Sequence, residues 1–567
     1  ASPGGSAESK GKKRASQELD KGDNGPNSSL PTPAKRSPPE KAKDEFCSDG
    51  EEAEQLNVAV KKQKNGIKQL MNLWANEEPY VNVEHPRPSA SDRAHCCLYD
   101  LREAWSDTRP PPPFPAACAD PTLGFGKSGY VRLPFGKNDR LSDGTSTRPR
   151  FELIFEALRS FAAGVRNIEH IEAGVGTYFA QFKARNLQKM CDQDEDGVEQ
   201  LLTNISNIAK IALRSSTLFT GPIPLLTVGG PFKSVSMTQE QAACLLAYGF
   251  FCAFGPLPRN IEGTFNFLNF SSFHRGPKPI HLQKLKFILA YFKQVYEKMP
   301  TGTLTYSRQA WDSANDERRG YDKWDDPLSD LLVTDEGLIE EMDGCLQVDF
   351  ANQYIGGGVM NSGAVQEEIR FLCCPEMLVS LLLCQVMQPN EAILIQGAQQ
   401  FSGYTGYSDS TKYVSMEVRR DEPRDRYGRA RSYLIAIDAI RFQNVNSQYR
   451  QACITREIKK AYAGYMLVGP DAAARPIATG NWGCGVFNGD KELKSLIQLI
   501  AASKAGRPMI YITFKDKQFA MFLSQIYDVL KESGITNGVL FDLLINYKPS
   551  MNDGYGVFEY LYHELTI

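Results

Sequence analysis

Several functional classes are excluded by what the chain lacks. Its 567 residues include only six histidines and thirteen cysteines, with no HExxH, CxxC or CxxC…HxxxH spacing. Those spacings build zinc sites, so no metal centre is expected. The cysteine count is odd, and Cys244, Cys252 and Cys384 sit in apolar runs. They read as small buried hydrophobes in a reducing compartment rather than as a disulfide framework. The net charge is only −3, which gives no footprint for sequence-specific binding of nucleic acid. A local anion site made of backbone dipoles remains compatible with it. The longest apolar run, AACLLAYGFFCAF (Ala242–Phe254), is shorter than the ~18 residues a membrane span needs. No secretory signal opens the chain. A soluble, intracellular protein with no membrane partner is expected.

What is present divides into three stretches. Residues 1–65 are rich in Gly, Pro, Ser, Lys and Glu and almost free of aromatics. Such a segment buries too little apolar surface to offset its ordering entropy, which predicts a disordered tail. It carries the basic clusters KGKKR (Lys10–Arg14) and KRSPPEKAK (Lys35–Lys43), which suit nuclear import or simply a solvated charge run.

Residues 66–300 comprise an N-terminal extension, mixed in composition to about Ser128, and a stretch over about 150–300 dominated by helical periodicity. RPPPPF (Arg109–Phe114) reads as a polyproline linker or clamp. GFGKSG (Gly124–Gly129) matches GxGxxG, but prolines precede it and YVRLPF follows, so no dinucleotide fingerprint is expected. Pro121 replaces the first glycine of a Walker A loop. Phe151–Val165 and His281–Met299 repeat apolar residues at the spacing of an amphipathic helix. TQEQ, with Thr238 and Gln241, predicts a capping box before the apolar run, and Gly255-Pro256 predicts its end. The stretch over about 150–300 reads as an all-helical accessory domain.

Residues 301–567 alternate short strand-like runs with helices: Cys345–Ala351, Glu391–Gly397, Tyr433–Ile440 and Pro508–Phe514. A helix is predicted over Glu376–Val386 after Pro375, and another after Asp490, which can cap KELKSLIQLIAASKA. This alternation predicts a three-layer α/β domain.

Three loops follow strand-like segments, where α/β folds bind ligands. GGGVMNSGAVQEE (Gly356–Glu368) ends in two adjacent glutamates. Glycines let backbone N–H groups approach an anion closely. Neighbouring side chains diverge on a helix and on a strand, so both glutamates can serve one ligand only from a loop or a helix start, in different roles. ATGNWGCGVFNGD (Ala478–Asp490) places glycines before a helix, a phosphate-cradling arrangement. QGAQQFSGYTGYSDS (Gln396–Ser410) supplies Tyr404 and Tyr407. Two phosphate-type loops beside carboxylates suit a diphosphate ligand cleaved by acid catalysis at a glycosidic bond.

The stretch VDFANQYIGGGVMNSGAVQEEIRF, with YTGY and ATGNWGCGVFNGD in order, resembles the poly(ADP-ribose) glycohydrolase family from about Tyr130 to the C-terminus. The resemblance implies a macrodomain, a three-layer α/β/α mixed sheet, carrying the helical accessory domain. It implies exo-type hydrolysis of ribose–ribose bonds of poly(ADP-ribose), releasing ADP-ribose without a metal or other cofactor. The implied partners are poly(ADP-ribose) and poly(ADP-ribosyl)ated proteins, and the implied setting is the DNA-damage response in nucleus and cytoplasm. By the same resemblance, Glu368 is the general acid and then base, and Glu367 orients the ribose. Asp349 and Asn352 support the loop and the sugar, and Gln366 contacts substrate. Gly356, Gly357 and Gly358 turn N–H groups toward the diphosphate. Asn481, Trp482, Gly483, Cys484, Gly485 and Val486 cover its other side, and Phe487 packs on the ribose. Tyr407 borders the reacting sugar, Ile339 and Glu340 line the adenine pocket, and Phe514 stacks on the base. Asn488 and Lys515 stand where family members carry Gly, which puts the second loop and the adenine edge in question. The arginines of Arg419–Arg431 either touch polymer phosphates or form a solvated loop. The other reading is a non-catalytic ADP-ribose reader on the same fold, which needs the phosphate loops but not the glutamate pair.

Overall fold

The computed structural model describes residues 94–100, 106, 108–113, 129–134, 140–142, 147–255, 262–466, 475–549 and 554–566. The tail over residues 1–65, with its basic clusters, and the first five residues of GFGKSG lie outside the described residues.

A nine-stranded mixed sheet forms the centre. Its strands in chain order are β1 (His95–Cys97), β2 (Ser234–Thr238), β3 (Thr303–Ala310), β4 (Leu331–Thr334), β5 (Leu346–Ala351), β6 (Glu391–Gly397), β7 (Ala430–Asp438), β8 (Ile477–Gly480) and β9 (Met509–Ile512). Their spatial order is β1-β2-β3-β6-β7-β5-β8-β9-β4. The five strands from β7 to β4 are parallel to one another, whereas β3 and β6 run antiparallel to both of their neighbours. Consequently β5, β8, β9 and β4 all end at one edge of the sheet.

Period-two alternation separates two cores. Leu434 and Ala436 of β7 and Ile393 and Ile395 of β6 join one cluster. Tyr433, Ile435 and Ile437, with Ala392 and Leu394, join the other. Successive strand side chains point to opposite faces, so a sheet of such strands is covered on both sides. Helices α1 (Arg150–Ala163), α2 (Val198–Leu213), α3 (Gln239–Phe250), α4 (Pro279–Glu297) and α5 (Gln366–Cys373) belong with the first cluster. Helices α6 (Gln451–Tyr465), α7 (Lys491–Lys504) and α8 (Lys517–Glu532) belong with the second.

The four strand-like runs of the second half are β5, β6, β7 and β9, each within a few residues of its expected limits. The capping box is present: Gln241 N–H donates to Thr238 Oγ1 at 3.1 Å, and Thr238 N–H to Gln241 Oε1 at 2.9 Å. That helix stops at Phe250, before Gly255-Pro256, because Cys252 turns left-handed with φ 54°. Asp490 caps α7, accepting from Glu492 and Leu493 N–H.

Two expectations need correction. The stretch over about 150–300 is not all helical, since β2 pairs into the sheet. The expected Glu376–Val386 helix is a 3-10 turn, Pro375–Val379, followed by a short helix, Ser380–Leu383. Ser380 Oγ donates to Met377 O at 2.7 Å, and Leu226 N–H donates to Leu383 O at 2.7 Å. The second bond draws the chain into a bridge with Leu226 and ends the helix.

No helix among the described residues is long and apolar enough to cross a membrane. None of the described residues form a group of three or more His, Cys, Asp or Glu able to hold a metal ion.

Candidate active site

The edge where β5, β8, β9 and β4 end carries the loops after β5 and β8; Gln396–Ser410 leaves antiparallel β6 at the opposite edge, and its Tyr407 end returns to Ala364. The chain leaves β5 at Ala351, runs through the triple glycine and enters α5 at Gln366. Gln366, Glu367 and Glu368 are therefore the first three residues of a helix, where the positive end of the helix dipole favours carboxylates.

Each glutamate is buried and each holds two backbone N–H groups. Glu367 Oε1 accepts from Gly356 at 2.6 Å and Oε2 from Asn352 at 2.9 Å. Glu368 Oε1 accepts from Gly358 at 2.8 Å and Oε2 from Val365 at 2.9 Å. Gly357 donates to Tyr354 O at 3.0 Å. The expectation that these glycine N–H groups face a diphosphate is thereby corrected: all three donate within the protein, two of them to the glutamates. Glycine is required for the close approach itself. A Cβ on Gly357, at φ 50°, would stand 2.5 Å from Glu367 Oε2 and 2.7 Å from Glu368 Oε1.

Asp349 lies on β5, fully buried, and neither of its carboxyl oxygens has a hydrogen-bond partner among the described residues. Burial, then the Glu368 charge, holds its carboxyl well above the usual range, with Arg370 opposing. Burial, followed by Asp349 and Glu368, raises Glu367 as well, against the pull of the Asn352 and Gly356 N–H groups. Gln366 is a splice rather than a substrate contact. Its Oε1 accepts from Phe350 N–H at 2.9 Å and its Nε2 donates to Val348 O at 3.2 Å, tying α5 to β5. Tyr407 is exposed, its hydroxyl faces the Gln366 main chain beside the Glu368 charge, and Ser408 N–H holds its loop to Ala364 O at 2.8 Å.

The loop after β8 splits into anchor and rim. Trp482 is corrected from ligand contact to anchor: it is fully buried and its Nε1 donates to Ile437 O at 3.0 Å. The Lys494 ammonium lies 3.4 Å from the centre of its ring. Asn481 Oδ1 accepts from Tyr511 O–H at 3.1 Å, and Cys484 N–H donates to Asn481 O at 3.1 Å. Phe487 is half-buried against the second core, and its carbonyl accepts from Phe442 N–H. Gly485 and Val486 are exposed. The N–H groups of Gly483, Gly485, Val486 and Phe487 have no acceptor among the described residues. Here, rather than at the triple glycine, the backbone offers donors to an anion. Asn488 takes the left-handed conformation expected of it, φ 60°.

Beside this loop, Phe514 and Lys515 are both left-handed, at φ 54° and 68°. Consecutive non-glycine residues in that region are strained, a state found where function over-determines the backbone. Lys515 N–H donates to Asp335 O at 2.8 Å, which keeps the turn despite the missing glycine. The Phe514 ring rests on Gly480, where a Cβ would come within 2.7 Å of it. Ile339 is buried against the sheet, and Glu340 Oε1 accepts from Tyr404 O–H at 3.1 Å. Within Arg419–Arg431, Arg420 donates to Lys298 O, Arg424 to Gln399 Oε1 and Arg429 to Asp425. These three serve the protein's own structure.

Three residues that no motif marks hold the other side of the glycine loop. Asn266 Nδ2 donates to Ile355 O at 2.9 Å and Gly357 O at 3.1 Å. Ser272 Oγ donates to Met360 O, and Lys284 Nζ donates to Val359 O at 2.7 Å and Asn361 O at 2.8 Å. The loop's N–H groups face the glutamates while its carbonyls face the helical region. The one sequence signal was Lys284 itself, a charge one turn from Ile288 on an apolar helix face.

Comparison with known families agrees with this geometry. Residues 319–521 match a family model described as "Poly (ADP-ribose) glycohydrolase (PARG), Macro domain fold", and residues 193–308 match its helical domain. Poly(ADP-ribose) glycohydrolase 1 of Caenorhabditis elegans is 38% identical over 360 residues, 62% of this chain but 45% of that protein's length. Poly(ADP-ribose) glycohydrolase 2 of the same organism is 32% identical over 370 residues, 63% of this chain and 73% of the relative. Probable poly(ADP-ribose) glycohydrolase 2 of Arabidopsis thaliana is 32% identical over 385 residues, 59% of this chain and 73% of the relative. On these matches, and with the macrodomain sheet and helical region both in place, the chain belongs to the poly(ADP-ribose) glycohydrolase family.

Proposed function

We propose that the chain hydrolyses the ribose–ribose O-glycosidic bonds of poly(ADP-ribose) from chain ends, releasing ADP-ribose. The observation that carries this reading is the Glu368 carboxyl, buried, fixed by two backbone N–H groups and set beside the buried carboxyls of Glu367 and Asp349. A reader of ADP-ribose has no use for three buried carboxyls at the mouth of its ligand site.

In this reading the diphosphate lies against the N–H groups of Gly485, Val486 and Phe487. The adenine stacks on Phe514, next to Ile339 and Glu340. Glu368 gives its proton to the leaving ribose oxygen as the bond to the anomeric carbon breaks, and positive charge spreads into the ring as an oxocarbenium-like state. Water then adds to that carbon, and its proton returns to Glu368. Glu367, held at both oxygens, keeps the sugar oriented, and Asp349 stays neutral so that a third negative charge does not compete for the proton. The basic clusters Lys10–Arg14 and Lys35–Lys43 favour a nuclear location in this reading.

The test is to incubate the purified chain with poly(ADP-ribose) and separate the products by size. ADP-ribose accumulating ahead of intermediate oligomers is expected. Intact polymer would overturn the enzymatic reading, and early accumulation of mid-length fragments would overturn the chain-end mode.

A further inference from the structure

The helical region reaches the catalytic loop with a buried cation. Lys284, on α4, is fully buried, and its ammonium faces three carbonyls of one tight turn: Gly358 at 3.5 Å, Val359 at 2.7 Å and Asn361 at 2.8 Å. No carboxylate among the described residues is bonded to it. An unpaired buried ammonium is costly and persists only where backbone dipoles or a nearby charge compensate it. Here both act. The three carbonyls present their negative ends, and Glu368 stands on the far side of the same turn, with Gly358 N–H donating to its Oε1 at 2.8 Å. Gly358 is thus held from both faces, its carbonyl toward Lys284 and its N–H by Glu368.

We propose that Lys284 is a positioning residue: by clamping the carbonyl side of the glycine turn it fixes the N–H group that orients Glu368 for proton transfer. The proposal rests on Glu368 being the acid of the proposed reaction. It also gives the helical region a part in catalysis, since α4 belongs to that region rather than to the strands bearing the site.

The clamp depends on protonation. A neutral amine has two N–H donors and a lone pair, so one of the three carbonyls would face a lone pair instead of a proton. Burial draws Lys284 down to about 7, with the Glu368 charge opposing. The charged or titratable neighbours are Glu368 from α5 and His281, one turn earlier on α4. From the short helix Ser271–Arg275 it meets the Phe273 ring, 5.6 Å away. A fall in kcat on the alkaline side of neutrality is expected from the loss of the clamp.

The test compares the wild-type chain with Lys284→Met, which keeps the straight apolar stem and removes the ammonium. Affinity for ADP-ribose should stay within a factor of about three, while kcat on poly(ADP-ribose) falls by about tenfold or more, the scale of loss from small misplacements of catalytic groups. The alkaline limb of the kcat profile should move or vanish. A folded Lys284→Met chain with unchanged kcat and an unchanged limb overturns the proposal. If the variant does not fold, the wild-type limb decides. A lysine's midpoint falls on warming whereas a carboxyl's barely moves, so a midpoint indifferent to temperature overturns the proposal and one that falls supports it. A wild-type chain that cleaves no polymer at all contradicts the proposed reaction instead, independently of Lys284.

Discussion

Gly358 N–H donates to Glu368 Oε1 at 2.8 Å, ten residues ahead of it in the chain. That bond, with its counterpart from Gly356 to Glu367, explains why a triple glycine precedes two adjacent carboxylates. The glycines bind the glutamates. Two adjacent carboxyls tolerate burial side by side because four backbone N–H groups and a helix N-terminus serve their oxygens.

Gly357→Ala should therefore damage the chemistry more than the fold. The new methyl would stand within 2.7 Å of an oxygen on each glutamate. Displacing both should lower kcat on the order of 100-fold, with thermal unfolding remaining cooperative. A Gly357→Ala chain with near wild-type kcat would show that the carboxylates are not held where described.

Trp482 and Val486 sit in one loop and should fail differently. Trp482→Ala empties a buried site and removes the bond to Ile437 O, a loss of about 3–5 kcal/mol in urea unfolding. Val486 is 65% exposed, so Val486→Ala should leave the unfolding midpoint unchanged and weaken ADP-ribose binding. Equal destabilisation by the two variants would contradict the division into anchor and rim.

Phe514→Ala should reduce ADP-ribose affinity by the value of one base–aromatic stack, about 1–3 kcal/mol. Titration calorimetry with ADP-ribose and with ribose 5-phosphate separates the adenine from the sugar. Equal losses for the two ligands would place the adenine elsewhere.

Stability should vary with pH through the buried acids. The unfolded chain releases the Asp349 and Glu367 protons near the ordinary values of 3.8 and 4.5, whereas burial and mutual repulsion keep them on the folded chain well above those values. The folded state binds more protons over that window, so these groups' contribution is full below it and declines as pH rises through it. Asp349→Asn removes one share, and the urea midpoint should change less between mildly acid buffer and neutrality. An unchanged pH dependence would mean that Asp349 is ionised in the folded chain.

Local patterns were legible in the sequence and long-range commitments were not. Apolar runs placed β5, β6, β7 and β9, and side-chain chemistry placed the Thr238 and Asp490 caps, because a strand's burial and a cap's partners lie within a few residues. The other five strands, β1, β2, β3, β4 and β8, were not placed; all but β3 are three to five residues long, and they join the sheet through partners distant in sequence. The candidate residues were legible as a set, through the glycine and glutamate spacing and the family resemblance. Their partners were not. Glycine N–H groups look free until the chain returns at Glu367 and Glu368, and a tryptophan between glycines looks like a binding residue until Ile437 O is found beneath it. Lys284 was hidden most completely, since its three acceptors are main-chain carbonyls more than seventy residues away.

The central claim is that Glu368 transfers the proton while other groups hold the ligand. Glu368→Gln keeps the shape, and its amide can still accept from Gly358 or Val365, but it cannot act as acid or base. Turnover of poly(ADP-ribose) and binding of ADP-ribose, measured on the same purified Glu368→Gln chain, test this most directly. The account predicts that cleavage is abolished and ADP-ribose affinity is nearly unchanged. Cleavage at close to the wild-type rate would contradict it.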